Sequence, residues 1–201
     1  MLAIVPVLVL VTYVYCESRS IAIKKGNIQT AHSLQLDELP SNKTYFGVKL
    51  FGDAAYRLQV AKALRLLSLS DPEALSFVTN NIRIIIEMER SGIWILSNTP
   101  VFSLSRTSAF HSITWCAGVM VHDANHALID LRAAKQQRNH ELSFRELQAM
   151  ERVCIRRQIK TLKNIGAPRA QIDYLRSCEG THFDVNGDGR YDWSDVHAQR
   201  W

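Results

Sequence analysis

The chain has 201 residues, 47% of them hydrophobic and 21% charged, with a formal net charge of +5. That is enough apolar chain for one domain with its own core plus appendages, and too much for a disordered polymer. Lys and Arg form no run of five or more, so the basic excess reads as a solvated face, and no nucleic-acid partner is expected.

Met1 to Cys16 is uncharged, and Glu17 is the first charged residue. This run is shorter than the ~20 residues of a membrane span. It also lacks the basic start of a secretory signal. Its uninterrupted apolar character nonetheless makes residues 1–16 the expected signal peptide or membrane anchor, with 17–43 a polar linker. Tyr45–Phe51 is predicted as a strand. Ala54–Leu67 has helical periodicity, with Ala54, Leu58, Ala61, Leu64 and Leu67 largely on one side. Ser70-Asp71-Pro72-Glu73 looks like a helix start, and the helix is predicted to run to about Glu89. Ile93–Leu96 and Val101–Leu104 follow as two short strands or one interrupted strand. Thr107 to about Leu131 reads as one long helix. Ser143-Phe144-Arg145-Glu146 is a capping-box pattern opening a helix over 144–165, which Gly166-Ala167-Pro168 ends. A short helix over Pro168–Cys178 completes the body. The fold class expected is α+β, mainly helical with a small sheet, over 44–178, followed by an appendage over 179–201. Cys116, Cys154 and Cys178 leave an odd number in the body, so at most one disulfide is expected there. No CxxC pair occurs, so a cysteine zinc site is not expected.

The long helix carries His122-Asp123-Ala124-Asn125-His126. Histidines at i and i+4 stand one above the other, so both imidazoles can reach a single zinc ion. Asp123 is the candidate base. It is one methylene shorter than the Glu that zinc peptidases carry at this position, so it needs a shift of helix or metal to reach a water. A third ligand must come from elsewhere, and Glu146 and Glu151 are the candidates. Glu146 already serves Ser143 in the capping box. Glu151 shares a half-buried face with Leu147, Cys154 and Gln158, where a carboxylate needs a partner, and it is preferred. Candidate oxyanion donors are Tyr174, His140 and His182. Asp130 or Asn125 could orient the imidazoles.

The tail holds a second pattern. From Asp184 to Asp195, Asp184, Asn186, Asp188, Asp192 and Asp195 occupy positions 1, 3, 5, 9 and 12 of a twelve-residue loop, with Gly189 at position 6. This is the ligand order of a calcium loop, to which Arg190 would add its backbone carbonyl. Asp192 would act through a water. A lone calcium loop suits a calcium-rich compartment, so the body is expected to be extracytoplasmic, either secreted or membrane-anchored.

Val121-His122-Asp123-Ala124-Asn125-His126, followed by the helix around Glu151–Gln158, resembles the gluzincin-type zinc metallopeptidases. That resemblance covers about residues 92–166. It implies zinc on His122, His126 and Glu151, hydrolysis of a peptide or protein substrate with Asp123 as base, and an upstream strand beside the cleft, for which Val101–Leu104 is the candidate. Asp184–Trp201 is similar to one dockerin repeat. Dockerins carry two, so cohesin binding is not implied. Val119-Met120-Val121-His122-Asp123 also resembles the dyad of HD-type phosphohydrolases, which need a further upstream His; His111 and His32 are the candidates. The non-enzyme alternative is a metal-binding interaction module whose base has degraded to Asp.

Overall fold

The protein is described here by a computed structural model over residues 43–96, 99–135 and 142–198. The apolar segment 1–16, residues 17–42, His32 and His140 lie outside the described residues.

The chain is α+β and mainly helical, with one five-stranded mixed sheet. Strands β1 (Lys43–Tyr45) and β2 (Val48–Phe51) form a hairpin, where a single strand was expected. Its turn is Phe46-Gly47, with positive φ at both residues, which suits the twist of a two-residue hairpin. Helix α1 (Ala54–Ser70) starts where the Asp53 side chain accepts the Tyr56 N–H. Tyr56, Val60, Ala63, Leu64 and Leu67 form its buried stripe. Helix α2 (Pro72–Asn81) starts in the same way, with Asp71 as cap and proline in its first turn.

The expectation that this helix reaches Glu89 is overturned. It stops at Ile82, whose backbone is extended, and Ile84–Met88 is strand β3. Three consecutive isoleucines, 84 to 86, explain the change: β-branched side chains favour a strand, and β3 is interior to the sheet. Strands β4 (Gly92–Leu96) and β5 (Thr99–Ser105) are separate and antiparallel. The sheet order is β1-β2-β3-β5-β4, with β2, β3 and β5 parallel. Antiparallel β1 and β4 are its edges.

The long helix predicted over Thr107–Leu131 is two helices. Ser112 is fully extended and divides α3 (Arg106–His111) from α4 (Ile113–Lys135). Its hydroxyl accepts the Trp115 N–H and so starts α4 afresh. Helices α5 (Phe144–Asn164) and α6 (Arg169–Ser177) follow, and α7 (Trp193–Ala198) closes the described chain.

One face of the sheet and helices α1, α2 and α4 enclose the main core. Phe51, Ile84 and Val101 form a smaller cluster with Ile86 and Trp94. α4 is the central helix: Cys116, Ala117, Met120, Val121, Ala124 and Ala127 are all buried. The contacts Gly118–Leu162, His122–Gln158 and His126–Cys154 step by four residues in opposite senses, so α4 and α5 run antiparallel. Gly118 permits their close approach, since a methyl there would lie 2.8 Å from Leu162 Cδ2. Among the described residues no helix is long and apolar enough to cross a membrane, and Cys116, Cys154 and Cys178 are free thiols.

Candidate metal centre

The α4–α5 seam brings together three groups far apart in the chain. His122 Nε2 lies 3.0 Å from His126 Nε2. The Glu151 carboxylate reaches both rings, with Oε2 3.1 Å from His122 Nε2 and Oε1 3.2 Å from His126 Nε2. Zinc ligands at ~2.0–2.1 Å in a tetrahedron sit roughly 3.3 Å apart, so this spacing is close to what one cation requires. The donor set, two imidazole nitrogens and a carboxylate oxygen, fits zinc in the same way. His126 is 2% exposed and Glu151 4%, so the cluster lies out of water. Burial alone would raise the Glu151 carboxyl; attraction to His126 and hydrogen bonds from both rings outweigh it and hold the group well below the usual glutamate range.

The outer nitrogens of both rings are also engaged. Gln158 Oε1 lies 3.0 Å from His122 Nδ1 and can accept its proton, so Nε2 can be given up as a lone pair when a cation replaces the proton it shares with Glu151. Cys154 Sγ lies 3.6 Å from His126 Nδ1 and accepts a 3.2 Å hydrogen bond from Asn125 Nδ2. Asn125 therefore acts on His126 through the thiol. Cys154 is within 4.8 Å of both histidines, but it sits at the Nδ1 side of His126, away from the nitrogen that faces Glu151. Gln158 and Cys154 had been visible only as members of the Glu151 helix face.

The other candidates are dispersed. Glu146 accepts the Ser143 N–H at 2.8 Å and completes the capping box, so it is occupied at its own helix end. Asp130 is buried on α4 one turn past His126. His111 stacks on Trp115 at 5.3 Å. Tyr174 packs against the other side of that neighbourhood, 5.8 Å from Trp115. His182, the third candidate oxyanion donor, lies beside the cluster, with Nε2 3.6 Å from Glu151 Oε2.

A cavity of about 230 Å³ opens over the cluster, lined by His122, Asp123, His126 and Glu151. Gly92, Ile93 and Trp94 of β4 form one wall, and Tyr174 and His182 another. Asp123 is 8% exposed. Val101–Leu104, the strand expected beside the cleft, lies within β5 and reaches the cavity through Ser103; β5 is interior, paired on both sides, and β4 is the edge strand. The first strand of this antiparallel pair is therefore the outer one.

The tail loop closes on itself. Asp184 accepts the N–H groups of Gly187 (2.8 Å) and Gly189 (3.0 Å). Asn186 and Asp188 each accept the N–H two residues on, both at 2.9 Å. Asp195 is fully buried and accepts from Val185, Asn186 and Asp192. Gly189 has φ of 77°, a conformation that side-chain-bearing residues seldom adopt. Hydrogen bonds from Ser194 hold the exposed Asp192 carboxyl below its ordinary value. The carboxylates keep lone pairs beyond these bonds, and an all-oxygen set suits calcium. Arg190 contributes its backbone within the loop.

No family model, no curated protein and no solved structure matches this chain.

Proposed function

We propose that the protein is a zinc-dependent, metallopeptidase-like hydrolase with a structural calcium ion in its tail. The observation that carries this reading is the convergence of His122, His126 and Glu151, 3.0 to 3.2 Å apart, in the lining of a cavity beside an edge strand. When bound, zinc would supply Lewis acidity toward a peptide carbonyl and toward water. His122, His126 and Glu151 would hold it, and Gln158 and Cys154 would keep both Nε2 atoms as lone pairs. Strand β4, the edge strand among the described residues, offers backbone N–H and C=O groups to an extended peptide. Asp123 and Tyr174, both in the cavity lining, would serve as general base and as hydrogen-bond donor to a carbonyl oxygen. Asp184, Asn186, Asp188, Asp192, Asp195 and the Arg190 carbonyl would hold calcium. Segment 1–16 directs or anchors the body to the extracytoplasmic side.

The test is elemental analysis together with hydrolysis of casein. Wild type is expected to carry zinc and cleave, Asp123→Ala to carry zinc without cleaving, and His126→Ala to do neither. A wild type that purifies without zinc and takes none up overturns the reading. The second reading, a zinc-bound interaction module, is favoured by the short reach of Asp123. A zinc-loaded wild type that cleaves none of a varied peptide set selects it.

A further inference from the structure

We infer that His182 is a fourth protein ligand of the same cation, a latch that ties the tail segment to the metal centre. The inference rests on the metal reading above.

Three observations carry it. The first is position. His182 Nε2 is 3.6 Å from Glu151 Oε2, and the ligand atoms of His122, Glu151 and His182 lie within 4.8 Å of one another. Contraction by a few tenths of an ångström brings this nitrogen to ~3.3 Å from Glu151 Oε2, the spacing of two ligands on a tetrahedral ion. The second is support on the body. Arg152 Nε donates to the Glu179 carbonyl at 2.8 Å. Gly180 has φ of 77° and lies so close to α5 that a methyl there would be 2.7 Å from the Gln148 carbonyl oxygen. The segment is therefore clasped to the helix that carries Glu151, one turn from it. The third is support from the tail. The Asp184 N–H donates to the Thr181 carbonyl across His182. Phe183 is buried between Phe144 of α5 and Tyr191 of the loop, at 5.2 and 5.5 Å. His182 is thus fixed from both sides, with its ring 5.9 Å from that of His122.

Four protein ligands fill a tetrahedral site, whereas hydrolysis needs one position open. His182 therefore raises metal affinity while it closes the site, and its departure would admit water. An oxyanion donor at the same place would behave oppositely: its loss would leave affinity unchanged and lower turnover.

The experiment is zinc affinity by chelator competition on the full chain, with calcium present throughout so that the tail loop stays in one state. His182→Ala is expected to bind one zinc more than about tenfold more weakly than wild type, beyond the low end of what an outer-shell partner costs. Zinc should also slow hydrogen exchange at the backbone of residues 179–184 in wild type and not in the variant. At saturating zinc, hydrolysis by the variant should rise. Unchanged zinc affinity in His182→Ala overturns the inference and leaves the three-ligand site standing. A wild type that binds no zinc removes the metal reading itself, and the latch with it. His182→Gln, which keeps the size and polarity of the side chain, replaces the alanine variant if that one does not fold.

Discussion

The candidate metal centre and the tail loop solve the same problem, holding like-charged or desolvated donors together, in opposite ways. The loop is self-contained: twelve consecutive residues satisfy one another, and its carboxylates are held by backbone N–H groups a few positions away. The His122–His126–Glu151 cluster is a tertiary product. Its histidines come from α4 and its carboxylate from α5, with a separation of 29 residues between His122 and Glu151. It exists only if those helices pack at the right distance. A local cage is therefore robust to damage elsewhere in the fold, whereas a seam-built cage inherits every error in the seam.

The largest expected effect breaks one half of this contrast only. Glu151→Ala should abolish zinc retention, measured by elemental analysis, while the calcium-dependent rise in melting temperature persists. Its mirror is Asp184→Ala with Asp188→Ala. That pair should erase the calcium-dependent rise, worth ~2.7 kcal/mol at a hundredfold excess over Kd, and leave zinc stoichiometry at the wild-type value. A double variant that still responds to calcium would refute the loop's oxygen cage.

A finer probe is the seam. Gly118→Ala forces a methyl toward Leu162 and should cost ~1–3 kcal/mol in denaturant unfolding. It should also weaken zinc binding, because α5 carries Glu151. Gln158→Leu should lower zinc affinity about 10–100-fold without moving the melting temperature of the calcium-loaded tail, since it frees only the His122 tautomer.

The subtlest effect is on pH dependence in the metal-free protein. Glu151 is held below the usual glutamate range in the folded state, so the unfolded chain binds its proton first as pH falls. Its contribution is complete above the ordinary glutamate pKa and disappears as acid titrates the folded carboxyl. Wild type should therefore lose more unfolding free energy than Glu151→Gln between neutrality and about pH 3. Equal losses in the two proteins would show that the imidazoles do not hold the carboxylate.

The sequence was readable where interactions are local. The Ser143–Glu146 capping box and the Asp71-Pro72 helix start both stand in the structure where the residue pattern puts them. The mainly helical α+β class could be read from periodicity. Errors arose where tertiary context decides. Ile84–Met88 follows a helix without a Gly or Pro break, and its three isoleucines settle as a strand at an interior place in the parallel part of the sheet. Ser112 interrupts two helices of similar composition. Among site residues, the preference for Glu151 over Glu146 came from the competing cap, and the distances place Glu151, not Glu146, beside both rings. Gln158 and Cys154 could not be assigned because nothing in one helix reveals which imidazole faces it. The approach of His182 to Glu151 depends on a turn at Gly180 whose necessity appears only against α5.

Strand β4 has a physical consequence apart from chemistry. It reads Gly-Ile-Trp-Ile-Leu, carries no charge, and among the described residues pairs on one side only. Natural sheets usually guard such a border with lysine, proline or a bulge. A ladder left open and uncharged invites a second copy to dock strand against strand, so colloidal behaviour in concentrated solution should depend on this border. A lysine at Ile95 would repel such self-association, at some cost to the packing beneath it.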